Sequence, residues 1–62
     1  MVDLNTEPNI PDHDGFYAEL LDSHEGLSLA ETHAMNARLV LLLANHIGDR
    51  DVLSQALKAA RG

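Results

Sequence analysis

From Phe16 onward the apolar residues recur at helical spacing rather than in the strict alternation of a strand. Phe16 and Leu20, and Tyr17 and Leu21, are four apart, so each pair lies on one side of a first helix. Val52, Leu53, Ala56, Leu57 and Ala60 make a similar stripe near the C-terminus. Start and stop signals frame these blocks. Asp12 or Asp14 can cap the first helix, and Gly26 supplies a left-handed stop. Ser28-Leu29-Ala30-Glu31 matches a capping box, with Leu27 placed before it as a hydrophobic staple. Gly48 ends the second helix and Asp49 caps the third, where Lys58 and Arg61 suit the negative end of the dipole. The pattern predicts an all-α fold with helices over about 14–25, 28–47 and 50–60. Pro8 and Pro11 bar helix before that, so residues 1–11 read as an extended arm with Leu4 and Ile10 available to pin it. Residues 12–62 then form a single three-helix domain.

The second helix is the informative one. At 100° per residue its plainly polar positions, Glu31, Arg38 and Asn45, fall within an arc of about 40°. Almost everything else on it is apolar or small, whereas an ordinary surface helix buries a stripe only somewhat wider than 100°. Two short neighbours can cover two sides of such a helix, which leaves a third apolar side over. That surplus points to dimerisation or docking. The anchoring side is expected to comprise Asn36, Leu39, Val40, Leu43 and Ile47. Asn36 sits between Leu29, Val40 and Leu43 and has two readings. It is either a locally satisfied polar group, or an amide that pairs with its own copy and fixes register at a cost in stability.

Size and charge sharpen this picture. A chain of 62 residues buries only about 60% of its unfolded surface, so a lone core is marginal. There is no cysteine, hence no disulfide and no thiolate metal site to reinforce it. The net charge of −6 is unevenly placed: residues 1–27 carry seven carboxylates and no Lys or Arg, while residues 28–62 sum to +1. This acidity disfavours nucleic acid and anionic membrane as partners. The longest apolar run, Leu39 to Ala44, is far short of the roughly 20 residues that span a bilayer. With no signal-peptide pattern at the start, a cytoplasmic protein is expected.

Asp12-His13-Asp14-Gly15 evokes a calcium loop, but aligning Gly15 with the loop glycine puts Ile10 and Leu21 where the first and last ligands belong. The four histidines, His13, His24, His33 and His46, form no H-x₃-H or E-x-x-H motif. Ser23 and His24 adjoin in sequence, yet neighbours on a helix point about 100° apart. Asp22-Ser23 resembles the carrier serine of acyl carrier proteins only superficially, since Ser23 closes a helix rather than opening one. A helix-turn-helix reading of the third helix places Asp49 and Asp51 where a groove would be met. No catalytic, cofactor-binding or metal-ligating residue is assigned, no cofactor is implied, and an enzyme is not expected.

Leu4 to Ile10, Phe16-Tyr17-Ala18-Glu19-Leu20, and the run from Asn36 to Asp49 resemble a family of short bacterial proteins catalogued only as a domain of unknown function. The resemblance covers nearly the whole chain and implies a stand-alone bacterial protein, often encoded near flavin-dependent hydroxylases and other aromatic-degradation enzymes. It carries no catalytic residue, and it suggests a small accessory subunit. The expectation is therefore a non-catalytic helical module, forming a homo-oligomer or meeting a protein partner through its second helix. The alternatives are a small metal or ligand binder using histidines and carboxylates of the acidic half, and an acidic, antitoxin-like inhibitor.

Overall fold

The computed structural model describes residues 2–62. Among them are three helices and no strand: α1 (His13–Ser23), α2 (Leu29–Ile47) and α3 (Arg50–Arg61). The arm expected over residues 1–11 is present from Val2 on as irregular, extended chain, and Met1 lies outside the described residues.

Local chemistry sets each boundary. Of the two candidate caps for α1, Asp12 is the one used: its carboxylate accepts from the Gly15 amide at 3.2 Å. Asp12 itself sits in the left-handed region at φ 52°, which aspartate tolerates better than most residues. The helix ends at Ser23, two residues before the expected end. His24 to Gly26 form a turn instead, with Gly26 at φ 78° reversing the chain. The capping box forms as expected, the Glu31 amide donating to Ser28 Oγ at 3.1 Å and the Ser28 amide to Glu31 Oε1 at 3.0 Å. Gly48, at φ 67°, closes α2, and its amide donates to the Ala44 carbonyl. Asp49 Oδ1 accepts from the amides of Asp51 and Val52, so α3 starts one residue beyond the turn.

These well-defined helices are loosely assembled. No two of the described helices pack along their length. The radius of gyration is 13.4 Å, against about 11 Å for a compact chain of this length. Val52, at 9% exposure, is the one buried apolar side chain among the described residues. The half-buried residues include Leu4, Leu20, Leu27, Thr32, Met35, Leu39, Ala44, Leu53 and Ala56. They are the nearest the chain comes to a core.

Two polar links span the open arrangement. Gln55, on α3, accepts the Leu4 amide on Oε1 at 3.0 Å and donates from Nε2 to the Val2 carbonyl at 3.4 Å. The arm is therefore held through its backbone by a side-chain amide, with Leu4 half-buried beside it and Ile10 exposed. At the other end, His24 connects the turn after α1 to Asn36 on α2.

Candidate functional site

The fold gives each wheel position of α2 its own environment. Thr32, Met35 and Leu39 lie at i, i+3 and i+7 and are half-buried, so they mark the side of α2 turned toward the rest of the chain. The stripe roughly a quarter-turn around from it is open. Leu29 is 74% exposed, Val40 60%, Leu43 51% and Ile47 50%. Of the five expected anchors, Asn36, Val40, Leu43 and Ile47 thus share one uncovered stripe, and Leu39 belongs to the half-covered side. The wheel identifies the apolar arc but cannot say which part of it the neighbouring helices occupy.

Leu29, His33, Asn36, Val40, Leu43 and Ile47 follow one another at intervals of four, three, four, three and four residues. That spacing keeps them in line on one side of the helix for about 27 Å, the signature of a seam that meets another helix. Its C-terminal half is purely aliphatic, and its N-terminal half carries the polar pair His33 and Asn36.

Asn36 does not stand free on this seam. His24 Nε2 lies 3.0 Å from Asn36 Oδ1, while His24 Nδ1 is 2.7 Å from the Leu20 carbonyl. Both neighbours are acceptors, so the arrangement suits an imidazolium donating from both ring nitrogens. The Leu20 carbonyl first, and the Asn36 side chain second, raise the His24 pKa above the ordinary value of 6.5. The geometry supports the locally satisfied reading of Asn36. This link joins residues twelve apart across the Gly26 turn, and the neighbours Asp22 and Ser23 gave no hint of it. Ser23 takes no part, since its hydroxyl donates to the Glu19 carbonyl at 2.8 Å.

The remaining candidate chemistry does not converge. Among the described residues no three His, Asp or Glu side chains are grouped so as to hold a metal ion. His13 and Asp14 approach to 3.3 Å, but both are highly exposed sequence neighbours, and a pair of this kind contributes little. Around Arg38, Leu41, Leu42 and Asn45 there is only an open depression on the polar side of α2. Among the described residues, no helix is long and apolar enough to cross a membrane.

Charge divides along the molecule. Residues 12–27, which contain α1, carry five carboxylates and no Lys or Arg, whereas residues 49–62, which contain α3, sum to +1 with Lys58 and Arg61 at the far end. The uncovered seam lies between an acidic end and a weakly basic one.

The family model described as "Protein of unknown function (DUF2783)" matches residues 4–62. The chain belongs to this family. Neither the curated proteins nor the solved structures provide a match.

Proposed function

We propose that this protein is a non-catalytic helical interaction module whose working surface is the α2 seam of Leu29, Val40, Leu43 and Ile47. The observation that carries this reading is the exposure of those four aliphatic side chains in line on a helix that no other helix covers along its length. Large apolar side chains scattered singly over a surface need no explanation, but a contiguous stripe on a chain with one buried apolar residue does. The acidic α1 end would orient the encounter and raise its rate rather than its affinity. A bacterial origin and a role as accessory subunit beside flavin-dependent hydroxylases rest on the family resemblance and agree with a small docking protein.

Sedimentation combined with binding of an environment-sensitive apolar dye tests the reading. The expected result is either a species larger than one chain or a monomer that binds the dye. Replacing Val40, Leu43 and Ile47 together by serine should remove whichever of the two is seen. A monomer that binds no dye would sink the proposal, because its apolar seam would then be covered from within.

A further inference from the structure

We infer that the occupant of this seam is a second copy of the same chain, lying antiparallel so that the two α2 helices cross near Arg38; the inference rests on the docking reading above. The area argues first. The chain exposes 5565 Å², whereas a compact globule of 6.8 kDa exposes roughly 4,000 Å². About 1,600 Å² per chain is therefore in excess, or roughly 3,000 Å² for two chains. That is the scale of obligate homodimer interfaces, about 2,000–5,000 Å² in total, and well above that of a transient contact.

The spacing of the seam argues second. Intervals of four, three, four, three and four read the same from either end. A two-fold axis perpendicular to α2 near Arg38 therefore brings the seam onto itself in register. Leu29 of one copy then lies opposite Ile47 of the other, His33 opposite Leu43, and Asn36 opposite Val40. A parallel pair would instead set Asn36 against Asn36, the arrangement in which a buried amide needs its own copy as partner. In this chain Asn36 Oδ1 already faces His24, so its amide oxygen is satisfied without that pairing.

Charge argues third. Parallel copies would place two α1 ends side by side, each with five carboxylates and no Lys or Arg over residues 12–27. Antiparallel copies place each acidic end beside the partner's residues 49–62, where Arg50, Lys58 and Arg61 outnumber Asp49 and Asp51 by one charge. Like charges repel at this range and opposite ones attract, so the antiparallel arrangement is the favoured one.

The absence of native cysteine makes the test direct. A Leu29→Cys, Ile47→Cys double variant should form two intermolecular disulfides under mild oxidation. Its two thiols are about 27 Å apart within one chain and cannot close on each other. The single variant Ile47→Cys should stay uncrosslinked, its two thiols being about 27 Å apart along the paired helices. Sedimentation of the unaltered chain should give a dimer, and Leu43→Glu should weaken association at least about 30-fold, as removal of one buried anchor does. Efficient crosslinking of Ile47→Cys alone would overturn the antiparallel copy in favour of a parallel one. A monomer that binds apolar dye would overturn the second copy yet leave the seam as a docking surface for another protein. A compact monomer that binds no dye would overturn both.

Discussion

His24 Nε2 and Asn36 Oδ1 lie 3.0 Å apart, a side-chain link between the end of α1 and the first half of α2. The same imidazole reaches the Leu20 carbonyl through Nδ1 at 2.7 Å, so one ring closes the last turn of α1 and fixes its exit toward α2. With few apolar contacts between the helices, such a polar link has unusual weight in setting how α1 meets α2.

A pH dependence follows from that link. The Leu20 carbonyl, and after it Asn36, raise the His24 pKa above the ordinary 6.5. A group with a raised folded pKa adds stability that is fully present below the unfolded value and lost as pH rises through the folded one. The α1 exit should therefore be firmest below about pH 6.5 and loosen above it. Imidazole chemical shifts followed against pH should place the His24 midpoint above 6.5. Asn36→Ala should move its midpoint down without returning it fully to 6.5, since the Leu20 carbonyl remains. A His24 midpoint at or below 6.5 in the intact protein would count against the link.

The second pH limb belongs to Glu31. The Ser28 amide first, and the Ser28 hydroxyl second, stabilise the Glu31 carboxylate and lower its pKa from 4.5. A depressed carboxylate contributes stability above the unfolded value, lost as pH falls through the folded one. The start of α2 should fray in mild acid. Carbonyl shifts of Glu31 should show a midpoint below 4.5, and Ser28→Ala should bring it back toward that figure. No difference between the two proteins would argue that the capping box is unformed in solution.

Asp49 is the stronger cap, with one oxygen accepting from both Asp51 and Val52 and with the buried Val52 directly behind it. Asp49→Ala should cost about 1 kcal/mol. In a domain of this size that lowers Tm by roughly 4–8 °C. Asp49→Ser should recover most of the loss because a hydroxyl also accepts from the first-turn amides. Thermal unfolding by circular dichroism reads both, and equal losses for alanine and serine would mean that the cap is not what Asp49 contributes.

Gln55 should govern the arm. It accepts the Leu4 amide and reaches the Val2 carbonyl, joining positions more than fifty residues apart. Gln55→Ala should release residues 2–11, seen as faster hydrogen exchange at the Leu4 amide and quicker proteolysis before Asp12. Helix content should barely change, because the caps of α1, α2 and α3 do not involve the arm. If Leu4 exchange is unaltered, the arm is held by something other than this side chain.

The features legible in the sequence are those decided within four residues. Ser28 with Glu31, Asp49 with Val52, and the glycines at 26 and 48 each complete their hydrogen bonds or turns locally, so helix number, type and most boundaries follow from pattern. The choice between Asp12 and Asp14 turned on a left-handed backbone at Asp12 that no pattern announces. In the sequence His24 stands beside Asp22 and Ser23, while its partner lies across the turn at Asn36. On the wheel Leu39 groups with Val40 because both lie on the apolar arc. Which side of that arc the rest of the chain covers is a tertiary matter, and helical periodicity carries no information about it. Gln55 carries no local sequence signal for its role, and only the folded chain brings the arm to it.

The last prediction concerns concentration. If the seam is filled by a second copy, unfolding converts one dimer into two chains, and dilution favours the products by mass action. Each tenfold dilution then removes about 1.4 kcal/mol from the stability of the dimer. Spread over the unfolding entropy of two chains of this length, that corresponds to a drop in Tm of roughly 5 °C per decade. Thermal unfolding measured between micromolar and hundred-micromolar protein should therefore show two such steps. The Val40, Leu43, Ile47 triple serine variant should unfold at one concentration-independent and lower temperature, because the contacts that dimerisation supplies are gone while the caps remain. A Tm for the unaltered chain that stays constant over the same range would mean that its helices find their apolar partners within one molecule, with the α1 and α3 faces closing over α2.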